Sequence, residues 1–201
     1  MSADPDLELV RACQRAEPTA LEGEFRELYD RYKDRVHNVC YRITGNPTDA
    51  LDASQETFGI LFRRIREFRF QSRFSSWVYR IAVNASIDLR RRARSRRLAS
   101  LESVQDGGGE GTRFDLMDHN VELPTSRASR KELEDEIQNA LGRLSEKLQG
   151  IVTLRYFENL SYDQIAETLQ ISLGTVKSRL SRAHEALDRE LTPVLDKHYL
   201  G

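Results

Sequence analysis

The 201-residue sequence has only two cysteines and no long apolar run. Cys13 and Cys40 lie in no CxxC motif, so they support neither a structural zinc site nor a disulfide framework. Such sparse use of cysteine fits a reducing cytosol. No apolar stretch approaches the roughly 18 residues of a membrane span, and the N-terminus lacks a signal-peptide pattern. We therefore expect a soluble, cytoplasmic protein without membrane insertion.

Patterns typical of enzymes are also missing. The four histidines are scattered along the chain, at His37, His119, His184 and His198. No glycine-rich phosphate loop precedes a predicted helix, and no nucleophile–base pair is evident. One pair, Asp52 and Glu56, lies one helical turn apart and could bind Mg²⁺ in a nuclease. Apart from that alternative, we expect no enzymatic activity, no cofactor and no metal.

Charge is strongly segregated along the chain, although the net charge is only −1. Twelve arginines and two acids lie between residues 63 and 97, which gives this segment a net charge of +10. Residues 1–62 and 98–136 carry −5 and −6, and residues 137–201 are neutral. The basic segment therefore predicts an anionic partner, because a partner experiences the local field rather than the average.

Aromatic residues are interleaved with the first arginines of this basic segment: Phe68, Phe70, Phe74, Trp77 and Tyr79. Positive charge follows a phosphate backbone, and exposed rings stack on unpaired bases. Because duplex DNA hides the faces of its bases, the combination favours single strands or an opened duplex. The alternative is that the rings belong to the core and the arginines form a solvated helix face.

Apolar residues at three- and four-residue steps predict three helices in the N-terminal half. The first helix spans about 22–43. The second runs from a cap at Thr48 to about 65, and the third runs from a cap at Ser75 or Ser76 to 92 or beyond. The second helix is expected to bury Leu51, Phe58, Leu61, Phe62 and Ile65. Between 98 and 129 the helical pattern disappears among acids and glycines, which predicts a flexible linker.

Helical pattern resumes at Lys131, and a further helix is expected to begin at Ser145. The segment that begins at Ser161 then predicts a helix-turn-helix. Ser161 and Gln164 form a capping box, and Ser172 is placed to cap a longer helix that ends near Leu191. In such a motif the second helix contacts base edges in the major groove. A purely structural helix pair remains the alternative.

These patterns together predict an all-α fold of two small helical domains joined by a flexible acidic linker, the C-terminal domain being a helix-turn-helix. We expect an N-terminal extension at 1–21, a first domain at 22–97 and the linker at 98–129. The second domain spans 130–195, and residues 196–201 form a C-terminal tail.

Three blocks resemble the extracytoplasmic-function (ECF) sigma factors of bacterial RNA polymerase. Residues 49–58 resemble the family pattern D-A-x-D-x-x-Q-E-T-F. Residues 77–91 resemble W-x-Y-R-I-A-x-N-x-x-x-D-x-x-R, and residues 174–183 resemble G-T-V-K-S-R-L-x-R-A. The resemblance covers about 24–97 and 131–191. It implies a protein that binds core polymerase, recognises the −35 and −10 promoter elements and promotes strand opening.

The resemblance assigns roles to residues of the first domain. The first block would dock on the clamp helices of the largest polymerase subunit through Asp49, Asp52, Gln55 and Glu56. The two aspartates could equally serve as helix N-terminal charge. Phe68 would form a pocket for a flipped base, and Asn84 would recognise that base. Further contacts with the −10 element and the melted strand would come from Arg69, Phe70, Gln71, Ser72, Trp77, Arg80, Asp88 and Arg91.

The loop departs from the common family pattern F-R-G-D/E-S, because Phe70 and Gln71 replace the small and the acidic residue. The base that it prefers is therefore left open. The arginines from Arg90 to Arg97 would hold phosphates upstream.

The second domain would bind the −35 element and the flap of the second-largest subunit. The candidates for the DNA contact are Thr175, Lys177, Ser178, Arg179, Ser181 and Arg182, with Arg155 and Ser161 on phosphates. The linker would thread the active cleft of the polymerase, and an anti-sigma factor is an expected partner. Two alternatives remain: a stand-alone helix-turn-helix regulator, and the metal-dependent nuclease based on Asp52 and Glu56.

Overall fold

The structure is a computed structural model that describes the backbone of residues 4–103 and 124–199 and the side chains of residues 4–96 and 131–192. All regular elements in these ranges are helical, so the predicted all-α class is confirmed. The α-helices are α1 (Leu7–Arg15), α2 (Leu21–Thr44), α3 (Pro47–Arg64), α4 (Phe74–Ser103), α5 (Pro124–Arg143), α6 (Glu146–Val152), α7 (Tyr162–Leu169) and α8 (Leu173–Tyr199). A 3₁₀ turn, Ile65–Glu67, follows α3, and a π-helical turn, Thr153–Phe157, follows α6. None of the helices in the described ranges is long and apolar enough to cross a membrane.

Helices α2, α3 and α4 pack against one another and form the core of the N-terminal unit. Helix α2 ends at Gly45, whose φ of 81° is a left-handed conformation that suits glycine. Asn46 then caps α3, and its side chain accepts a hydrogen bond from the Asp49 N–H at 2.8 Å. The predicted cap at Thr48 is wrong, because Pro47 occupies the first helical position, which its fixed φ favours.

The start of α4 also differs from the prediction. The helix begins at Phe74, so Ser75 and Ser76 lie inside its first turn and neither is the cap. The Phe74 N–H donates instead to the Asp4 carboxylate at 2.7 Å. A cap supplied from 70 residues away in the chain has no local signature, which explains the error.

Residues 1–21 were expected to be an extension, but the described part of this segment belongs to the N-terminal unit. Helix α1 packs on α2 and on the 3₁₀ turn, and it buries Val10 and Cys13 completely. The buried Asp6 carboxylate accepts hydrogen bonds from the Tyr32 hydroxyl and, at 2.7 Å, from Arg31. A nine-residue helix is only marginally stable in isolation, so its tertiary contacts stabilise it.

The helix-turn-helix is present as predicted. The Gln164 N–H donates to Ser161 Oγ at 3.2 Å, and the Ser161 N–H donates to Gln164 Oε1 at 2.8 Å. Gln170 adopts a left-handed φ of 53° in the turn. Ser172 Oγ then accepts from the Thr175 N–H at 3.1 Å, so the capping of α8 by Ser172 is confirmed.

Helix extends into both ends of the predicted linker at 98–129. Helix α4 continues to Ser103, and α5 already begins at Pro124. Arginine, alanine and leucine favour helix at the first end, and proline suits a first helical position at the second. Residues 104–123, which include the glycine-rich acidic centre of the predicted linker, lie outside the described residues. Helix α8 continues to Tyr199, past the predicted end near Leu191 and into the predicted tail.

The two helical units pack directly on each other. Arg35 of α2 forms an ion pair with Glu158, which follows the π-helical turn, with 3.0 Å between Nε and Oε2. Gly150 of α6 lies so close to α4 that a Cβ at this position would be 3.1 Å from Val83 Cγ1. A larger residue at position 150 would require the Val83 side chain to shift by a few tenths of an ångström.

Gln149 is the central polar residue of this contact and is fully buried. Its Nε2 donates to the Arg42 carbonyl at 2.6 Å, and its Oε1 accepts from Arg90 Nη1. Arg90 also donates to the Ile43 carbonyl at 3.0 Å. Buried polar groups need such partners, and the two bonds of Gln149 are formed only while the two units are in contact.

Candidate nucleic-acid interface

Four rings from the loop and the first turn of α4 form one cluster. The Phe68 ring lies at the centre, with its centroid 5.1 Å from those of Phe70 and Trp77 and 5.6 Å from that of Phe74. Phe74 is 1% exposed, whereas Phe70 is 37% exposed. Both interpretations of the aromatic segment thus hold for different rings: Phe74 and Tyr79 are core, while Phe70 is available to a ligand.

An open cavity of about 410 Å³ lies against this cluster. Its lining contains six of the predicted strand-contacting residues: Phe68, Arg69, Gln71, Ser72, Trp77 and Arg80. Arg64 and Glu67 also line it, and Glu167 and Gln170 of the C-terminal unit close one side. The lining combines two aromatic rings with three guanidinium groups, as well as the carboxylates of Glu67 and Glu167. Rings and guanidinium groups suit a base and its phosphates.

Asn84, Asp88 and Arg91 line a different cavity, of about 280 Å³. They lie further along α4, where that helix faces α6 and the start of α8. Arg179 of α8 lines the same cavity, and Arg91 forms an ion pair with Glu146, with 2.9 Å between Nε and Oε2. Nine of the ten predicted −10 residues are therefore divided between two cavities, and Phe70 lines neither of them. The cavity that contains Asn84 also contains Arg179, a predicted −35 residue.

The arginine-rich part of α4 is not uniformly available to phosphates. Arg90 is committed to carbonyl and amide oxygens between the units, so its predicted phosphate contact does not fit this arrangement. Arg92, Arg94 and Arg96 are exposed. Fewer arginines of this segment are therefore available to phosphates than the sequence suggests.

The exposed face of α3 combines acids with apolar side chains. Asp52, Gln55 and Glu56 are exposed, whereas Asp49 is half-buried and accepts from Asn46 Nδ2 at 2.6 Å. Leu51 is 51% exposed and Phe62 is 37% exposed, so their predicted burial is wrong. Both belong to the stripe Leu51, Gln55, Phe58 and Phe62 on successive turns. An apolar residue on that stripe signals either core or contact surface, and periodicity cannot separate the two.

The outer face of α8 carries the predicted duplex-contacting residues. Lys177, Ser178, Ser181 and Arg182 are exposed. Thr175 and Arg179 are half-buried, and the Thr175 hydroxyl lies 2.8 Å from Ser172 Oγ. Four of the six candidates are therefore accessible in this arrangement, and Arg179 faces the cavity between the units.

The two predicted phosphate contacts of the C-terminal unit also hold local structure together. Arg155 donates to the Leu160 carbonyl at 3.0 Å, and its guanidinium lies 5.5 Å from the centre of the Tyr162 ring. Ser161 forms the capping box of α7. Both residues are thus held at the N-terminus of α7, where backbone N–H groups suit an anion.

The nuclease alternative lacks a cluster of ligands. Among the residues that the structure describes, no group of three or more histidine, cysteine, aspartate or glutamate side chains could hold a metal ion. Asp52 and Glu56 are exposed, and Arg63 Nη2 lies 3.9 Å from Glu56 Oε1. A guanidinium next to the carboxylate competes with a cation.

Comparison with known protein families gives two matches. Residues 28–96 match the family described as Sigma-70 region 2, and residues 134–187 match Sigma-70, region 4. The first match covers α3, the aromatic cluster and most of α4. The second covers the helix-turn-helix and the second half of α5.

Characterised relatives align over most of the chain. The chain is 35% identical over 168 residues to the ECF RNA polymerase sigma factor SigW of Bacillus subtilis, covering 83% of this chain and 88% of that protein. It is 34% identical over 198 residues to the RNA polymerase sigma-H factor of Pseudomonas aeruginosa, covering 97% of this chain and 98% of that protein.

Solved structures with the same fold include CnrH in complex with the cytosolic domain of CnrY. The TM-score is 0.63 at 22% identity, over 92% of this chain and 96% of that chain. The sigma factor RpoE in complex with the anti-sigma factor NepR from Bartonella quintana also has a TM-score of 0.63, at 20% identity, over 84% of this chain and 96% of that chain. At these identities the likeness supports the fold.

Proposed function

The chain belongs to the ECF sigma factor family and is an RNA polymerase sigma factor. We propose that three surfaces of the chain share core polymerase binding and promoter recognition. The exposed face of α3 binds core polymerase, the cavity beside Phe68 captures a base of the melted −10 strand, and the outer face of α8 binds the −35 element. The observation that carries this proposal is the cavity of about 410 Å³, which gathers aromatic, amide and guanidinium groups.

Base capture follows from the geometry of that cavity. A base that leaves the duplex loses its stacking, and a ring that it contacts restores roughly 1–3 kcal/mol. Trp77 is half-buried and Phe68 supports it from beneath at 5.1 Å, so a stacking surface is already in place. Arg69 and Arg80 lie at the same cavity and can hold the flanking phosphates. Strand opening is then favoured because the open form gains contacts that the duplex cannot make.

Core binding is the second task, and the exposed side of α3 suits it. Interfaces combine apolar anchors with a polar rim. Leu51 and Phe62 supply the anchors, and Asp52, Gln55 and Glu56 supply the rim. This face would dock on the clamp helices of the largest subunit, while the C-terminal unit would contact the flap of the second-largest subunit.

Binding of the −35 duplex is assigned to the first turns of α8. Arg182 and Lys177 can donate to base edges or phosphates, and Ser178 and Ser181 can contact either. Arg155 and Ser161 lie at the N-terminus of α7 and fit a phosphate.

The two units must separate for both promoter elements to be bound. The −35 and −10 elements are about 25 base pairs apart by their numbering, or about 85 Å at roughly 3.4 Å per base pair. In this structure Asn84, a predicted −10 residue, and Arg179, a predicted −35 residue, line the same cavity. The packed arrangement therefore belongs to the protein before it engages a promoter, and core polymerase would supply the binding energy that opens it.

A regulatory partner fits the same surfaces. The solved structure of the sigma factor RpoE from Bartonella quintana is a complex with the anti-sigma factor NepR. We assign to this chain an anti-sigma partner that occupies the contact surfaces of one or both units. Its place of action is the cytoplasm, where core polymerase and promoter DNA are found.

Run-off transcription tests the proposal directly. Core polymerase with the purified chain should initiate at a subset of a promoter library where core alone does not. Sequencing of those promoters would define the −35 and −10 motifs. Absence of new initiation, with no inhibitor attached to the protein, would reject the proposal. Retention of DNA binding without association with core would favour a stand-alone regulator instead.

A further inference from the structure

Gln14 of α1 binds the backbone at the entrance of the base-capturing loop. Its Nε2 donates to the Ile65 carbonyl at 3.0 Å and to the Phe68 carbonyl at 2.8 Å. An amide nitrogen carries two N–H donors, so one side chain can satisfy both acceptors. The second acceptor belongs to Phe68, whose ring is the centre of the aromatic cluster. The position of that ring is thus tied to α1.

Asp4 binds the backbone at the exit of the same loop. Its Oδ2 accepts from the Phe74 N–H at 2.7 Å, at the start of α4. A carboxylate at a helix N-terminus is favoured by the orphan N–H groups and by the helix dipole. Asp4 Oδ1 accepts in turn from the Asp6 N–H at 3.1 Å. The N-terminal segment therefore fixes the start of α4, whose first turn contains Trp77.

The middle of the loop is also in contact with α1. The Arg11 guanidinium carbon lies 5.7 Å from the centre of the Phe70 ring, within reach of a cation–π interaction. Phe70 has a φ of 55°, which is unfavourable for an aromatic residue and needs support from its surroundings. Arg66 donates back to the Ala16 carbonyl at 2.6 Å.

The N-terminal segment can hold the loop in position because it is itself packed on α2 and the core. Asp6 is 2% exposed and is held by Tyr32 and Arg31 of α2. Val10 and Cys13 are fully buried in the core. The contacts to the loop therefore start from a fixed element and not from a loose chain end.

We propose that residues 4–16 form a brace that sets the shape of the base-capturing loop, with Gln14 and Asp4 as its positioning residues. Neither residue touches DNA in this proposal; they act through the position of Phe68 and of the first turn of α4. A loop with few hydrogen bonds of its own captures a base well only if its shape is fixed beforehand, because ordering on binding costs affinity. The inference rests on the proposed function of the loop, but its structural part can be tested without polymerase.

The test uses the full chain and the variants Gln14→Glu, Gln14→Leu and Asp4→Ala. Gln14→Glu retains the shape of the side chain but removes both donors. Hydrogen exchange of residues 66–75 in the free protein measures the brace itself. Promoter opening by the holoenzyme, followed with a fluorescent base in the −10 element, measures its effect. Affinity for core polymerase and thermal unfolding are measured in parallel, and Glu17→Ala, at an exposed position just after the brace, is the control.

Loss of the brace should speed exchange in the loop and slow promoter opening about tenfold, the effect expected for two net hydrogen bonds. Discrimination among the four bases at the captured position should fall, while core affinity stays within about twofold. A general loss of stability would not produce that change in base preference. If Gln14→Glu disturbs folding, Asp4→Ala is the deciding variant, because Asp4 lies outside the helices and is only half-buried.

Unchanged loop exchange and unchanged opening in these variants would overturn the inference. Faster exchange with normal opening and normal base preference would overturn it as well, because the brace would then be structural only. Failure of the wild-type holoenzyme to initiate would instead count against the proposed function, and the exchange data would still report on the brace.

Discussion

Arg35 and Glu158 are 123 positions apart in the sequence and form an ion pair between the two helical units, with 3.0 Å between Nε and Oε2. The Glu158 side chain is only 5% exposed, whereas that of Arg35 is 53% exposed. The Tyr79 ring lies nearby, and burial together with the Glu158 carboxylate raises the pKa of Tyr79 well above its ordinary value. The buried carboxylate therefore depends on Arg35 for its compensating charge.

Arg35→Ala should separate the two units. It leaves the Glu158 carboxylate buried without its cation, which costs about 1–3 kcal/mol. Opening the contact hydrates the carboxylate, so we expect a larger radius of gyration by small-angle X-ray scattering. Lys33→Ala is the control, because it breaks an exposed pair with Asp30 at 2.9 Å that contributes little. An unchanged radius in Arg35→Ala would show that the pair does not hold the units together.

Asn84→Ala should slow promoter opening by about threefold to tenfold, the effect of one lost hydrogen bond to a base. Asn84 is exposed, so the substitution leaves the core intact, whereas Phe68→Ala would also remove a buried ring. Stopped-flow fluorescence of a −10 reporter base measures opening, and core affinity should be unchanged. Equal loss of opening and of core binding would contradict the base-recognising role that the family resemblance implies for Asn84.

Asp52→Arg should weaken association with core polymerase about tenfold or more, because it reverses a charge in the proposed contact face. Opening by the holoenzyme that does form should be near normal. Fluorescence anisotropy of labelled protein against core gives the affinity. Glu17→Arg makes the same charge reversal at an exposed site outside α3 and should have little effect. Similar losses in both variants would point to non-specific electrostatics.

Arg182→Ala should reduce binding to the preferred −35 sequence by about 1–3 kcal/mol and relax selectivity at one position, as expected for an arginine that contacts a base. Competition assays with single-base changes in the −35 element test this. Arg189→Ala, two turns further along α8 and also exposed, is the control. A uniform loss on all sequences would reassign Arg182 to a phosphate contact.

Tyr32→Phe should alter stability at alkaline pH. Burial and the hydrogen bond to Asp6 raise the pKa of Tyr32 well above the usual value of 10.0. Above about pH 10 the unfolded chain releases this proton while the folded chain keeps it, so stability falls by up to about 1.4 kcal/mol per pH unit. Below that pH the contribution is constant.

Denaturant unfolding at pH 8 to 11 measures the effect. Tyr32→Phe should cost about 1.5–3 kcal/mol at neutral pH, since the buried Asp6 loses a hydrogen bond, and its stability should fall less steeply above pH 10. Tyr29→Phe, at a ring that is 43% exposed, should keep the wild-type slope. Equal slopes in Tyr32→Phe and the wild type would contradict the prediction.

The sequence by itself determined the helices and the family, because both depend on local patterns. Three- and four-residue periodicity located α2, α3 and the helix-turn-helix. The capping box that begins at Ser161 marked the start of α7 and is recognisable in the sequence alone. The charge segregation and the rings marked the segment that lines the cavity beside Phe68. Each of these signals spans a few turns of chain, so no distant residue is needed to detect it.

Only the tertiary structure decided which apolar residues face solvent and which distant residues support the loop. Periodicity places Leu51 and Phe62 on an apolar stripe, but only the packing of α3 on its neighbours leaves them 51% and 37% exposed. The bonds from Gln14 and Asp4 to the loop, and from Gln149 to the other unit, join residues 51 to 107 positions apart. Contacts of this range leave no periodic trace in a sequence, because they depend on how the helices pack and not on the pattern within any one of them.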